Sequence, residues 1–224
     1  MTIQHHVSDE LLMNYAIGTL SESWSLAVAT HAALCPVCRD GVLKAEAMGG
    51  VFVDEIAPVP MAEGAFNDLL ARLDTDDTLL PPTKPNAMFV TGNVPLPEPL
   101  RSYLLGDDVI QCTDLPWQRL GLGAYHIPIT LSDRSATARL LRIPAGRPVA
   151  EHGHGGSELT LVLAGAFHDG SSYFGPGDFQ ETDETLVHKP RAIADEDCIC
   201  LAVTDAPLSF SNPIARLIQP FLNV

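Results

Sequence analysis

The stretch 146-GRPVAEHGHGGSELTLVLAG-165 places two histidines and a glutamate around a glycine turn, with the spacing G-x5-H-x-H-x3-E-x6-G. Side chains two residues apart on a strand point the same way, so His152 and His154 are expected to face one point. Glu158 can return to that point from the next strand. Two imidazoles and a carboxylate suit Zn, Fe, Mn or Ni. The stretch therefore predicts two strands that share a metal site, and the alternative is a histidine-rich surface turn.

The chain around this stretch has the pattern of short β-strands. Apolar or alternating runs occur at 137–144, 159–167 and 198–205, separated by turn sequences such as PAGRP and DGSSYFGPGD. Many short strands without helices between them are typical of a β-sandwich or barrel. We therefore predict an all-β domain over residues 100–224.

Residues 8–77 have a helical pattern instead. The four predicted helices begin at Ser8, Ser21, Pro36 and about residue 63. A hydroxyl N-cap marks the first two starts, and proline suits the first helical turn at the third. The first helix is expected to stop at Gly18, and the third to weaken or end at Gly49–Gly50. The fourth is short and amphipathic, with four large apolar side chains on one face.

The segment HAALCPVC begins at His31 and joins the second predicted helix to the third. His31 and Cys35 are four residues apart and so share a helix face, and Cys38 follows just beyond a proline. A closed tetrahedral zinc site needs a fourth ligand, for which His5 or His6 is near in sequence. The alternatives are three small buried side chains or a redox CxxC pair. The helical setting counts against the redox pair, because thioredoxin-like pairs follow a strand.

A proline-rich stretch separates the two patterns. Six prolines fall within residues 79–99, a density that excludes long helices and central strands and favours an extended linker. We therefore predict a helical metal-binding domain over 1–85, a linker over 86–99 and a separate β domain over 100–224.

The composition limits the partners. The 224 residues carry a formal net charge of -15, which argues against direct binding to nucleic acid or anionic lipid and favours a basic partner protein. No signal peptide or transmembrane run is visible, so a cytoplasmic location is expected. Four of the five cysteines form two close pairs, and in a reducing compartment such pairs are more often metal ligands or redox groups than disulfides.

His6, His31, Cys35 and Cys38 resemble the ligand set of the zinc-binding anti-sigma factors. Proteins of that family fold a small helical domain that clamps an extracytoplasmic-function (ECF) sigma factor. The resemblance implies a structural zinc ion, which holds together helices too short to form a core alone. Residues 1–85 contain 12 acidic and 4 basic residues, a balance that complements the basic DNA-binding surfaces of a sigma factor.

The spacing in 146–165 resembles the first motif of the cupins, with every marked position matched. The second cupin motif supplies one more histidine soon after a PxG turn. Here Gly177 ends such a turn, and His188 follows eleven residues later instead of three. His168 is the competing candidate. The predicted cupin ligands are His152, His154, Glu158 and His188, around a second divalent metal that is expected to be zinc.

A helical zinc domain followed by a cupin is similar to the ChrR-type anti-sigma factors. The similarity runs along essentially the whole chain, from HHVSDELL at residue 5, through CICLAVTDAPL at 198–208, to QPF at residue 219. It implies two domains, an N-terminal all-α zinc-stapled helical bundle and a C-terminal all-β cupin barrel. It also implies a 1:1 complex with an ECF sigma factor, which is released in response to photooxidative (singlet oxygen) stress sensed by the cupin.

This resemblance predicts a regulator without enzymatic activity, with no direct contact to nucleic acid or membrane. The alternative is a cupin metalloenzyme, dioxygenase-like, with an N-terminal regulatory domain, because sensing and catalytic cupins share their ligands. Cys198 and Cys200 face one side of a strand. They are expected to be an apolar pair in the barrel, and a redox-active vicinal dithiol is the alternative.

Overall fold

The structure, a computed structural model, describes residues 2–75, 89–91, 94–105, 115–120, 123–133 and 135–210. The predicted domain boundary between residues 85 and 86 lies outside these ranges. The helices are α1 Asp9–Ala16, α2 Glu22–Leu34, α3 Pro36–Asp54, α4 Ala65–Thr75 and α5 Glu98–Leu105. The strands are β1 Phe89–Thr91, β2 Val94–Leu96, β3 Gln118–Leu120, β4 Ala124–Ile129, β5 Thr137–Ile143, β6 His152–His154, β7 Glu158–Ala164, β8 Phe167–Asp169, β9 Ser172–Phe174, β10 Phe179–Thr182, β11 Val187–His188, β12 Arg191–Ala192, β13 Cys198–Thr204 and β14 Leu208–Phe210.

The four predicted N-terminal helices are confirmed, and the starts of α1 and α3 follow the expected signals, whereas the hydroxyl of Ser21 makes no capping hydrogen bond to α2. The hydroxyl of Ser8 accepts a hydrogen bond from the backbone of Leu11, and Pro36 occupies the first turn of α3. One prediction is wrong: α3 does not end at Gly49–Gly50 but continues to Asp54. Neither glycine has a positive φ, and the apolar residues that follow them extend the helix at the small cost that glycine imposes.

The proline-rich stretch differs from the predicted extended linker. Strands β1 and β2 pair antiparallel, and helix α5 begins at Glu98. Leu96 and Leu100 are fully buried, so the end of this stretch packs into the core. The prolines do not prevent these elements: Pro95 lies in a two-stranded pair, and Pro99 lies in the first turn of α5, where no backbone N–H is needed.

The predicted β pattern is confirmed as three sheets, besides the β1–β2 pair. The largest has the antiparallel order β10-β7-β13-β5-β4-β3, and the two smaller ones have the orders β11-β6-β14 and β12-β8-β9. The sheets do not close on one another within the described residues, so the predicted closed barrel is not confirmed. Gly165 ends β7 with φ +64°, and a Cβ there would lie 2.2 Å from the Asp197 carbonyl oxygen, which explains why this position needs glycine.

The six-stranded sheet is buried on both faces. One face carries Val162, Cys198 and Cys200, which join a core formed within the β region. The opposite face carries Leu161 and Leu201, since neighbouring residues on a strand alternate between faces. Burial on both sides accounts for the nearly continuous apolar runs in β7 and β13.

The second face of the sheet shares its core with the N-terminal helices. Leu26 and Ala27 of α2 belong to the same buried cluster as Leu161 and Leu201, and α2 lies against β7 and β13. Each leucine that is fully buried contributes about 1.5–3 kcal/mol relative to an exposed one. The helical and β regions are therefore packed against each other through α2 and share one hydrophobic core.

No single helix among the described residues is long and apolar enough to cross a membrane. Helices α2 and α3 pass that test of length and composition only as a joined pair, with a bend of 118° between them.

A second contact between the regions holds the N-terminus of α2. The backbone N–H of Glu22 donates to the Asp133 carboxylate at 3.2 Å. In return, the Glu22 carboxylate accepts from the backbone and hydroxyl of Ser132, each at 2.6 Å, and from the Tyr103 hydroxyl at 2.8 Å. These hydrogen bonds, with the Ser132 hydroxyl first, lower the pKa of Glu22. This reciprocal cap ties α2 to the loop before β5.

We predict that Glu22→Ala lowers the midpoint of thermal unfolding by about 2–4 °C at pH 7, because several hydrogen bonds to a carboxylate are lost. Because the pKa of Glu22 is lowered in the folded protein, its contribution is present above pH 4.5 and is lost as the pH falls through the folded pKa. The difference in unfolding midpoint between Glu22→Ala and wild type should therefore narrow as the pH falls below 4.5.

The measurement is circular dichroism of metal-free protein, with a chelator in every sample. The matched control is Glu46→Ala, which removes an exposed carboxylate from α3 and should leave the midpoint unchanged. Equal midpoints for Glu22→Ala and Glu46→Ala would contradict the role of the cap.

Candidate metal centres

Four side chains of the helical region converge on one point. His6 Nδ1 lies 3.3 Å from Cys35 Sγ and 3.6 Å from Cys38 Sγ, and His31 Nε2 lies 3.2 Å from Cys38 Sγ. All four potential ligand atoms lie within 4.8 Å of one another. His31, Cys35 and Cys38 are buried and His6 is exposed. The predicted set is thus brought together from two helices and the segment before α1.

The local fold explains this convergence. Cys35 has extended backbone angles, φ -104° and ψ 108°, and caps the end of α2 and the start of α3. His31 therefore lies one turn before the bend and Cys38 one turn after it. His6 comes from the N-terminal segment, which crosses this bend and buries Val7 in the core.

The arrangement fits a tetrahedral zinc ion. With Zn–S bonds of about 2.3 Å and Zn–N bonds of about 2.0–2.1 Å, neighbouring ligand atoms should be about 3.3–3.8 Å apart. The observed separations of 3.2–3.6 Å are close to this range. Two thiolates and two imidazoles form a donor set that closed zinc sites use.

Burial favours the neutral forms of His31 and Cys38. It lowers the pKa of His31 to about 4, and the nearby His6 adds to the effect. Burial also raises the pKa of the Cys38 thiol to about 11, to which the neighbouring Cys35 contributes. A neutral imidazole is ready to bind a metal, whereas the thiol must first lose its proton. A divalent cation supplies the charge that a buried thiolate needs, so metal binding here releases protons.

A second pair of histidines meets in the β region. His152 of β6 and His188 of β11 are directly paired in the antiparallel register, and their Nε2 atoms lie 3.1 Å apart. The Nδ1 of His152 donates to the Ala150 carbonyl at 2.7 Å, and the Nδ1 of His188 contacts the Asp169 carboxylate at 2.6 Å. When Nδ1 carries the proton in both rings, the two Nε2 lone pairs face each other. A cation between them would relieve this repulsion.

The other predicted cupin residues have different surroundings. Glu158 begins β7, and its Oε1 accepts a hydrogen bond from Thr160 at 2.9 Å. His154 ends β6, and its side chain lies outside those the structure describes. His168, the competing candidate, is exposed and meets Tyr173 edge-on. The structure therefore places His188, and not His168, beside His152.

Asp169 is a functional candidate that the sequence did not reveal. It is nearly buried with His188, and such a carboxylate fixes the tautomer and orientation of a metal-binding imidazole. Asp169 lies 19 residues before His188, in a turn-rich segment with many acidic residues nearby. Only the pairing of the strands shows which carboxylate lies next to the ring.

The comparisons with known proteins agree with this two-part arrangement. Residues 105–207 match the family described as the ChrR cupin-like domain. Over 224 residues, all of this chain and all of the relative, the sequence is 44% identical to the anti-sigma-E factor ChrR of Cereibacter sphaeroides. This chain belongs to the ChrR family.

A solved structure of the ChrR family matches over most of the chain. It is the crystal structure of Rhodobacter sphaeroides SigE in complex with the anti-sigma ChrR. The match has a TM-score of 0.73 and 43% identity, and it covers 91% of this chain and 99% of the other. The full-length relative is named as an anti-sigma factor and not as an enzyme.

The second cysteine pair of this ChrR-family chain lies in an apolar core. The Sγ atoms of Cys198 and Cys200 are 3.5 Å apart, and both side chains are fully buried. A register shift between Ile199 and Cys200 brings the two thiols together. The hydrogen bond with Cys198, together with burial, raises the pKa of Cys200. These features favour an unreactive apolar pair in the ground state.

We predict that Cys35→Ala combined with Cys38→Ala removes one equivalent of bound zinc, because two of four ligands are lost. The matched control is Cys198→Ala combined with Cys200→Ala, which deletes two buried thiols of the same type from the other core and should retain that equivalent. Metal content is measured by inductively coupled plasma mass spectrometry after gel filtration. Unchanged zinc in the first variant would contradict the assignment.

Proposed function

We propose that this chain is a zinc-binding anti-sigma factor that binds an ECF sigma factor in a 1:1 complex and releases it in response to singlet oxygen. In this proposal residues 1–85 inhibit the sigma factor, residues 100–224 form the cupin sensor, and residues 86–99 connect the two. The protein acts in the cytoplasm and reaches DNA only through its sigma factor. The identity over full length to an anti-sigma factor supports this assignment.

The observation that carries the proposal is a concentration of exposed apolar side chains between residues 48 and 73, over the end of α3, the segment after it and α4. Phe52, Val53, Phe66 and Leu73 are each at least 60% exposed. The whole docking surface comprises Met48, Val51, Phe52, Val53, Ile56, Val59, Met61, Phe66, Leu69, Leu70 and Leu73. A concentration of exposed large apolar side chains marks a site of protein–protein interaction. Here we assign it to the sigma factor.

The negative charge of the helical region favours a basic partner protein at the docking surface. Residues 1–85 contain 12 acidic and 4 basic residues. A sigma factor exposes basic surfaces that bind promoter DNA, and an acidic partner is attracted to them over a distance. The acidic side chains would increase the rate of association and exclude DNA, while the apolar docking surface would provide most of the affinity.

The N-terminal metal site would act as a structural centre for this surface. Zinc held by His6, His31, Cys35 and Cys38 would fix the angle between α2 and α3 and hold the segment before α1 across their junction. Helices of this length have little stability in isolation, so the metal would contribute directly to folding of the inhibitory region. When bound, the ion supplies charge and geometry, and no reaction is required of it.

The sensing role is assigned to the cupin-like region, with His152, His154, Glu158 and His188 as ligands of a second divalent metal. The facing Nε2 atoms of His152 and His188 support this set. The sensor has a route to the inhibitor, since the sheet that carries Glu158 also packs against α2. A change in the sensor could therefore alter the position of α2 and the helices attached to it.

We predict that Phe52→Ser and Leu70→Ser each weaken binding of the cognate ECF sigma factor by about 10-fold or more, because large apolar side chains at an interface centre carry much of the affinity. Leu186→Ser is the matched control, since Leu186 is an exposed leucine of the β region, and it should bind normally. Affinity is measured by biolayer interferometry, with zinc content as the check on folding. Unaltered affinity in both docking-surface variants would refute the assignment of this surface to the sigma factor.

We further predict that His188→Ala loses the second metal equivalent and abolishes release of the sigma factor by photosensitised singlet oxygen, while basal binding stays within about 2-fold of wild type. His168→Ala, an exposed histidine of the same region, should respond normally. Release is followed by size-exclusion chromatography of the illuminated complex. Normal release from the His188→Ala protein would show that singlet oxygen is not sensed at this site.

A further inference from the structure

One buried carboxylate of the β region holds the segment that carries His6. Asp178 lies in the turn 175–179 between β9 and β10 and is 4% exposed. Its Oδ2 accepts from the Gly175 N–H at 2.8 Å and closes its own turn. Its Oδ1 accepts from the N–H groups of Gln4 and His5 at 2.7 and 2.9 Å. The Asp178 carboxylate thus binds both its own turn and the N-terminal segment. We name residues 2–8 the N-terminal strap.

Further contacts continue along the N-terminal strap on either side of His6. The Phe179 N–H donates to the His5 carbonyl at 3.1 Å, and the His5 ring lies 4.3 Å from the Phe174 ring, centre to centre. Beyond His6, the Ser8 N–H donates to the Glu181 carboxylate at 2.7 Å. His6 is therefore held at the metal cluster by residues of β9, β10 and the turn between them.

The same turn contacts the second histidine of the cluster. The ring of Phe179 meets the ring of His31 edge-on, with centres 5.3 Å apart. The Gly177 carbonyl and the Asp178 carboxylate both favour the protonated form of His31 and oppose the lowering of its pKa by burial. Within the described residues the buried Nδ1 of His31 has no hydrogen-bond partner.

The turn leaves little free space next to the N-terminal strap. Gly177 has φ +88°, and a Cβ at this position would lie 2.7 Å from side-chain atoms of Ile3. The backbone angle requires glycine at this position, and a Cβ would also force the Ile3 side chain to move. The strap and the turn are thus complementary in shape as well as hydrogen bonded.

We propose that the turn 175–179 of the β region forms the outer shell of the N-terminal metal site, with Asp178 as a positioning residue, so that metal binding by the helical cluster and docking of the N-terminal strap on β9–β10 are linked. The inference rests on the metal site of the proposed function. Loss of strap docking frees His6 and leaves three ligands. By reciprocity, a bound metal holds the strap against the β region. The metal affinity of the cluster therefore depends on whether the N-terminal strap is docked on the β region.

The test uses the full-length protein and cobalt(II), without a sigma factor. Cysteine-to-cobalt charge transfer reports a site with cysteine ligands, which the histidine pair of the β region cannot produce, and the band should persist in the Cys198→Ala plus Cys200→Ala variant. Asp178→Asn should raise the dissociation constant for cobalt about 10-fold or more, in line with the usual effect of outer-shell changes. Asp195→Asn makes the same change at an exposed loop carboxylate and should bind as wild type does.

Two further measurements keep the test decisive if Asp178→Asn fails to fold. Glu181→Ala removes only the exposed acceptor of Ser8 and should weaken cobalt binding about 2- to 3-fold. In the wild type, hydrogen exchange of the Gln4 and Phe179 amides should become at least 10-fold faster when the metal is removed.

The outcomes separate this inference from the proposed function. Exchange rates that do not change on metal removal, or wild-type cobalt affinity in a folded Asp178→Asn protein whose strap amides exchange rapidly, would overturn the linkage. If the wild type gives no cysteine-to-cobalt band at all, the metal site of the proposed function fails as well. If the wild type binds cobalt and an Asp178→Asn protein with rapidly exchanging strap amides binds it equally well, only the linkage is rejected.

Discussion

The packing of α2 on the leucine-rich face of the six-stranded sheet is the interaction on which the remaining structure depends. Leucines on that face would be costly in water, and α2 covers them with Leu26 and Ala27. Since α2 is fixed by this contact and by the cap at Glu22, its other end brings His31 and Cys35 to a defined place. The metal cluster, the direction of α3 and the exposed docking surface all follow from that placement.

Local signals in the sequence were sufficient for the N-terminal helices and for the main strands of the β region. Ser8 and Pro36 marked helix starts, and alternation in 198–205 marked a strand, because capping, proline geometry and pleating act over a few residues. Packing decided the remainder. Nothing near Gly49 shows that α3 will continue past it, and the burial of Leu96 depends on a partner surface distant in sequence. Closure of the sheets is likewise a property of many strands together.

The same division applies to the two candidate centres. His31, Cys35 and Cys38 are close in sequence, so their spacing alone indicated a shared site. The pairing of His152 with His188 required a strand register that no spacing rule contains. The carboxylates of Asp169 and Asp178 were not predicted at all, since one aspartate among many carries no pattern. Their roles come from hydrogen bonds across more than ten residues of chain.

The bend at Cys35 gives the helical region the mechanics of a lever. Helix α3 has 19 residues and is therefore about 28 Å long. A rotation of only about 10° at the bend would displace its far end by about 5 Å, which is the pitch of one helical turn. The docking surface begins near that far end. An ångström-scale rearrangement among the four ligand side chains would thus be magnified into a displacement large enough to put an interface out of register.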